Sequence, residues 1–141
     1  MTRSTGKRAR SAGGTTERSL REACDEVVFA TVRYARIEAN EHGVSLPQAL
    51  LIRALARSGT VPITKLVEWS GNSRATVGGI LDGLADAGLV RREHGVEDRR
   101  QVLVSLTEEG TALAERLEAR SAERWAPLED RIRHRDAART A

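Results

Sequence analysis

The sequence of 141 residues predicts a mainly α-helical fold with a small β-hairpin. Three observations support this fold class. Long segments near both ends of the chain repeat apolar residues every three or four positions, which is the period of an α-helix. A hydroxyl residue stands before each of four such segments, where an N-cap is expected: Ser45, Thr64, Ser73 and Thr107. Two short alternating segments on either side of a polar loop indicate a pair of strands.

The first three predicted helices follow from spacing and end signals. Residues 16–41 form the first helix, which stops at His42-Gly43. At about 39 Å it is longer than a small core covers, so we expect it to pack against a second chain. The second helix begins at Ser45 with a capping box and ends near residue 58. Leu50, Leu51, Ala54 and Leu55 are its predicted apolar face. An extended segment, residues 60–63, precedes the third helix, which runs from the cap Thr64 to Ser70.

The second half of the chain predicts a helix, a hairpin and a long terminal helix. After a turn, Ser73 caps the fourth helix, whose apolar arc comprises Val77, Ile80, Leu81 and Leu84. Residues 89–92 and 101–105 are the predicted strands, with a polar loop between them. Thr107 caps the last helix, which we expect to kink or restart at Pro127.

Composition restricts the class of protein. The net charge is +3, and residues 1–15 carry four basic side chains and no acid: Arg3, Lys7, Arg8 and Arg10. This arm is predicted to be disordered, and its charge suits a polyanionic partner, although solvated surface charge gives the same pattern. The single cysteine excludes an intramolecular disulfide and fits a reducing cytosol. No apolar segment approaches the roughly 20 residues that span a bilayer. We therefore expect a cytoplasmic protein without membrane contact.

The order of these elements is typical of one structural motif. A helix, a tight turn, a capped helix and a hairpin form a winged helix-turn-helix. The run from Ser45 to Leu117 resembles the MarR family of bacterial transcription regulators. Four segments carry the resemblance in the family's order and spacing: ITKLVEWSGNSRATV, LADAGLVRR, DRRQVLVSL and LTEEGTAL. The resemblance excludes residues 1–15 and is weak beyond Pro127.

The resemblance implies both an organisation and a function. Residues 16–44 would be a dimerisation helix, residues 45–106 the winged helix-turn-helix DNA-binding domain, and residues 107–141 C-terminal dimerisation helices and a tail. The implied function is a homodimeric, sequence-specific transcription regulator, a repressor relieved by a small-molecule effector. Each recognition helix would enter the major groove of double-stranded DNA at an inverted-repeat operator. No paired carboxylates, nucleophile triad or phosphate loop indicates an enzyme.

The DNA-binding candidates lie at the start of the fourth helix and in the wing. Ser73 caps a helix whose N-terminus could bind a phosphate. Arg74 could form two hydrogen bonds to guanine, and Thr76 could contact the methyl group of thymine. The resemblance matches Asp98 and Arg100 to the family's wing motif, and Asp98 would also brace the wing through a nearby arginine. Arg91 and Arg92 remain open between solvated and phosphate-contacting roles. The full set is Asn72, Ser73, Arg74, Thr76, Gly78, Gly79, Asp98, Arg99 and Arg100.

Glycines make this recognition helix unusual. Gly78, Gly79 and Gly83 each cost a helix about 0.5–1 kcal/mol relative to alanine. Two of these glycines lie on the outer face of the helix. That face has no long side chain that can donate hydrogen bonds, and it includes Asp82 and Asp86. Three explanations stay open: close approach of the backbone to DNA, mostly electrostatic binding, or losses tolerated because packing stabilises the helix. The same features motivate an alternative, a winged-helix protein-interaction module without sequence-specific DNA binding.

The remaining candidates have weaker patterns. Tyr34, His42 and Trp69 are candidates for a ligand cleft, although residues of these types more often have a plain packing or surface role. Cys24 lies on the predicted apolar side of the first helix, where one branch of the family senses organic peroxides. A buried packing role or a redox-sensing regulator is therefore considered for Cys24. The histidines share no metal-binding spacing with it, and we expect no metal or cofactor.

Overall fold

The computed structural model describes the backbone of residues 19–139 and the side chains of residues 19–127, 129 and 130. The chain order is α1 (Leu20–Glu41), α2 (Leu46–Ser58), β1 (Val61–Pro62), α3 (Ile63–Ser70), α4 (Arg74–Asp86), β2 (Val90–His94), β3 (Val102–Leu106) and α5 (Glu108–Arg139). The mainly helical fold class with a small antiparallel hairpin is confirmed. The predicted basic arm, residues 1–15, lies outside the described residues.

Two units are distinguished by their internal contacts, residues 1–32 and 33–141. The described part of the first unit is the N-terminal part of α1. Ser19 caps this helix, because its Oγ accepts from the Glu22 N–H while the Glu22 carboxylate accepts from the Ser19 N–H. This reciprocal cap precedes α1 as described, from Leu20, and the predicted start at residue 16 lies outside the described residues. Its large apolar side chains are exposed: Leu20, Val27, Val28, Phe29 and Val32.

The second unit contains the hydrophobic core. Side chains from α2, α3, α4, β3 and α5 are fully buried there: Ile52, Leu55, Leu66, Val77, Leu81, Leu84, Val104, Leu113 and Leu117. The predicted apolar arc of α4 is thereby confirmed. The prediction for Leu50 is wrong, since it is 54% exposed. The buried arc of α2 centres on Ile52 and Leu55, and Leu50 projects from the opposite side of the helix.

Three strands, rather than two, form the sheet. Its order is β1-β3-β2, and both pairs are antiparallel. The predicted extended segment becomes strand β1, with Val61 opposite Val104. Helix α3 then begins at Ile63 directly after Pro62, whose N-cap position has no side-chain hydrogen bond. The prediction that Thr64 caps this helix is therefore wrong, because strand pairing holds the chain extended up to Pro62 and the helix starts before Thr64.

The other predicted caps are confirmed. Ser45 and Gln48 form the capping box of α2. Ser73 Oγ accepts from the Thr76 N–H at 3.1 Å, and Thr107 Oγ1 accepts from the Gly110 N–H at 3.0 Å. Helix α5 continues through Pro127, so the predicted restart is not observed. Pro127 is exposed, and its missing N–H removes one hydrogen bond of the helix without breaking it.

Candidate nucleic-acid interface

The helix-turn-helix is formed by α3, residues 71–73 and α4. Gly71 makes the turn with a left-handed φ of 64°, a conformation that glycine adopts without strain. Asn72 is used inside the turn, since its Nδ2 donates to the Ser70 carbonyl. The hydroxyl oxygens of Ser73 and Thr76 lie 2.9 Å apart and bond to each other. Within residues 72–76, Arg74 is therefore the exposed long donor at the start of α4.

The three glycines of α4 have different surroundings. A Cβ atom added at Gly78 or Gly79 would meet nothing within 4 Å. A Cβ atom at Gly83 would lie 3.1 Å from Nε2 of Gln48, the residue that completes the capping box of α2. Gly83 thus permits the close packing of α4 against the start of α2. Among the described residues, no steric contact explains glycine at the other two positions.

Arg92 connects strand β2 to the outer side of α4. Its Nη1 lies 2.7 Å from Oδ1 of Asp82, and its Nη2 donates to the Gly78 carbonyl at 3.0 Å. Asp82 thus stays 65% exposed on the outer side of α4, but it is paired with Arg92. Arg91 instead donates from Nε to Ser105 Oγ at 3.1 Å. Neither arginine is simply solvated, and sequence spacing offers no signal for these pairings.

The wing is the loop between β2 and β3, and it is closed by its own polar groups. The Arg100 N–H donates to Oδ1 of Asp98 at 2.9 Å, and the Gln101 N–H donates to the Asp98 carbonyl at 3.0 Å. In the described chain no arginine pairs with Asp98, so this residue braces the wing through the backbone rather than through a guanidinium group. His94 Nδ1 lies 2.9 Å from the Arg99 carbonyl. The side chains of Arg99 and Arg100 are left exposed.

A charged cluster connects α1, α2 and α5 within the second unit. The carboxylate of Glu38 is buried and pairs with Arg124 and with Arg53, whose Nη2 lies 3.3 Å from Oε2. The Arg53 Nη2 also donates to the Leu117 carbonyl at 2.8 Å. The Arg124 guanidinium lies 5.0 Å from the centre of the Tyr34 ring. These contacts satisfy a buried carboxylate that would otherwise be strongly destabilising.

Two cavities adjoin this cluster. One of about 410 Å³ is lined by Tyr34, Glu38 and Arg124, together with other residues of α1 and α5. There the Arg120 guanidinium donates a hydrogen bond to the Glu123 carboxylate, and this bond, together with the charge of Glu41, raises the pKa of Arg120. The other, of about 650 Å³, lies among α2, the sheet and α5. Its charged lining residues are Arg53, Arg57, Arg91, Glu115 and Glu118.

The weaker candidates are not brought together. Tyr34 lines the smaller cavity, whereas His42 and Trp69 line neither of the two. His42 is half-buried, and its Nε2 is buried without a partner among the described atoms. Trp69 is 45% exposed, with Lys65 Nζ 5.9 Å from its ring centre. The packing prediction for Cys24 is wrong for the single chain, because the residue is exposed on the uncovered α1.

Two kinds of site can be checked over the described residues. No group of three or more His, Cys, Asp or Glu side chains there is arranged to hold a metal ion. No helix of this part of the chain is long and apolar enough to cross a membrane.

The helix-turn-helix, the flanking wing and the exposed basic side chains define a winged-helix protein. The MarR family model matches residues 44–102. The homoprotocatechuate degradative operon repressor of Escherichia coli is 30% identical over 100 residues, which cover 71% of this chain and 68% of that protein. The chain belongs to the MarR family.

Other relatives match over shorter segments. The HTH-type transcriptional regulator YfiV of Bacillus subtilis (strain 168) is 40% identical over 65 residues, 46% of this chain. The chain spans 41% of the length of that relative and 31% of the length of the repressor YetL from the same organism.

Solved structures share the fold along most of the chain. NadR in complex with 4-hydroxyphenylacetate aligns with a TM-score of 0.73 and 26% identity, covering 99% of this chain and 93% of NadR. A mutant MarR from Escherichia coli complexed with operator DNA aligns with a TM-score of 0.62 and 21% identity, over 71% of each chain.

Proposed function

We propose that the chain is a homodimeric transcription regulator that binds an inverted-repeat operator in double-stranded DNA and acts as a repressor relieved by a small ligand. The observation that carries this proposal is the joint presentation of Arg74 at the start of α4 and of Arg99 and Arg100 on the wing. All three are exposed. A helix start and a basic wing on one scaffold suit a major groove and its neighbouring minor groove.

Some of the proposed contacts recognise bases, and the others position the protein on the DNA backbone. Arg74 is the candidate for base recognition, because a guanidinium group bonds guanine in a bidentate manner. Ser73 and Thr76 bond to each other, so they contribute the ordered N-terminus of α4, which favours a phosphate. Asn72 orders the turn. Gly78 and Gly79 leave the next turn of α4 without side chains, which permits close approach of the DNA backbone.

The homodimer is supported by the exposed apolar side chains of α1. Seven large side chains of this 22-residue helix are exposed: Leu20, Val27, Val28, Phe29, Val32, Tyr34 and Ile37. They are distributed around the helix rather than along one side, and so much exposed apolar surface is unfavourable in water and favourable against other apolar surfaces. A second copy supplies the same side chains, as expected for a two-fold interface. We therefore assign α1 to the dimer interface and propose the same role for α5.

The test is selection of genomic DNA fragments by the natural protein at moderate salt. We expect enrichment of an inverted repeat whose half-sites are about 10 base pairs apart. Arg100→Ala should weaken binding to that repeat at least about tenfold, whereas Arg116→Ala removes the same charge from the exposed side of α5 and should have a much smaller effect. Failure to enrich any inverted repeat would overturn the proposal and favour the protein-interaction module.

Relief by a ligand is tested on the recovered operator. The cavity of about 650 Å³ is lined by three arginines and two glutamates, and this small excess of positive charge suits a small organic anion. NadR, which shares the fold, is bound to 4-hydroxyphenylacetate in its solved structure. We expect one member of a panel of small aromatic acids, beginning with that compound, to release the operator. Release requires that the ligand favour one arrangement of the dimer over another.

A further inference from the structure

Arg92 forms a bridge from strand β2 to two groups on α4. The bridge comprises the ion pair to Asp82 at 2.7 Å and the hydrogen bond to the Gly78 carbonyl at 3.0 Å. Gly78 and Asp82 are four residues apart, so they lie on the same side of the helix. A planar guanidinium fork can engage both at once. The Arg92 side chain is 31% exposed and that of Asp82 is 65% exposed, so the arginine is the more covered partner.

The bridge lies at the base of the wing. Arg92 stands opposite Val104 in the β2–β3 ladder, and His94 ends β2 two residues later. Successive side chains of a strand point to opposite faces. Arg91 accordingly bonds Ser105, whereas Arg92 reaches α4. The hairpin that carries the wing is thus attached to the middle of the recognition helix.

We propose that the Arg92–Asp82 bridge positions the wing relative to α4, so that both engage one DNA site together. This inference rests on the proposed DNA-binding function and extends it. Arg92 is a positioning residue rather than a phosphate contact. Asp82 promotes DNA binding in spite of its negative charge.

We expect loss of the Arg92–Asp82 bridge to change DNA affinity more than the free energy of unfolding. An ion pair with an exposed carboxylate contributes little to folding. A wing held in its binding orientation, however, loses less conformational freedom when DNA is bound. The loss of the bridge is therefore expected to weaken DNA binding even in a fully folded protein.

Two matched variants separate this proposal from simple charge repulsion. Asp82→Asn and Asp86→Asn each remove one negative charge from the exposed side of α4, and among the described residues Asp86 has no ion-pair partner. Repulsion between α4 and DNA predicts tighter binding for both variants. The positioning role predicts different changes in DNA affinity for the two variants. Asp82→Asn should bind about threefold more weakly, whereas Asp86→Asn should bind equally well or more tightly. Fluorescence anisotropy with the selected operator measures both, and thermal unfolding verifies that each variant is folded.

A second measurement tests whether Asp82 acts through the wing. Arg100→Ala is made in the natural protein and in the Asp82→Asn variant. If the bridge positions the wing, the loss of Arg100 costs about tenfold in the first background and clearly less in the second, because the wing is already misplaced.

The outcomes have distinct meanings. Equal costs of Arg100→Ala in both backgrounds, or tighter binding by Asp82→Asn, would overturn the positioning role while leaving the proposed function intact. A natural protein that selects no operator would overturn the proposed function and this inference with it.

Discussion

The three glycines of α4 differ in their surroundings. Gly83 lies against the Gln48 amide, which would be 3.1 Å from an added Cβ. No atom of the described part of the chain would lie within 4 Å of a Cβ added at Gly78 or Gly79, so nothing there requires glycine on steric grounds. The penalty of a helical glycine is therefore explained by packing at one position only. At the other two positions, the explanation that remains is an external partner or a tolerated loss.

Alanine substitution at the open positions tests this distinction. We expect Gly78→Ala and Gly79→Ala each to raise the free energy of unfolding by about 0.5–1 kcal/mol, because alanine restricts the unfolded chain and meets no neighbour. Gly83→Ala should raise the free energy of unfolding by a smaller amount, because the Gln48 amide must move to admit the methyl group. Urea unfolding measures all three variants.

The same variants decide between the explanations. We expect operator affinity to fall in Gly78→Ala and Gly79→Ala, since the added methyl groups prevent close approach of DNA. If affinity stays unchanged while stability rises, the glycines are tolerated losses.

At the scale of elements, the α4–β2 turn packs closely against the start of α5. The Thr107 hydroxyl donates to the Gly88 carbonyl at 2.6 Å and accepts from the Gly110 N–H. A Cβ at Gly110 would lie 2.0 Å from the Leu89 carbonyl oxygen, which belongs to the backbone and cannot rotate away. This contact sets where α5 begins relative to the hairpin.

Gly110→Ala is therefore expected to destabilise the protein strongly. We expect a loss of at least about 3 kcal/mol in the free energy of unfolding, or failure to fold, because backbone segments must separate to admit the methyl group. Gly79→Ala is the matched control, since it makes the same substitution in open space. An unchanged unfolding midpoint for Gly110→Ala would contradict this account of the junction.

The elements themselves were largely predictable, because their signals are local. The capping boxes and caps at Ser45, Ser73 and Thr107 depend on groups three residues apart, and all three predictions are confirmed. The predicted cap at Thr64 is wrong, because the paired strand ends at Pro62 and the helix begins directly after it. The pairing partner of that strand, β3, lies far along the sequence. Spacing within a segment contains no information about such a partner.

At the scale of the whole molecule, the exposed apolar side chains of α1 are the feature that the single chain leaves unexplained. The predicted length of the helix led to the expectation that it packs against a second chain. Val28→Asp would place a carboxylate in the proposed interface. Burial of that charge without a partner is unfavourable, so we expect the dimer dissociation constant to rise at least about tenfold.

Sedimentation velocity measures this change. Val96→Asp is the control, because Val96 is 98% exposed on the wing and the substitution adds the same charge. We expect the control to remain dimeric. A Val28→Asp protein that dimerises as strongly as the control would remove α1 from the interface.

The sequence by itself determined the helices, most of their caps, the order of the helix-turn-helix and wing, and the family to which they belong. These features depend on residues a few positions apart, which interact in any fold that contains the segment. Only the tertiary structure decided that Arg92 pairs with Asp82 and that Asp98 braces the wing through the backbone. It also decided that Gly110 lies against the Leu89 carbonyl. These contacts depend on how separate segments are brought together in space, and that arrangement is set by burial of the common core rather than by any local spacing.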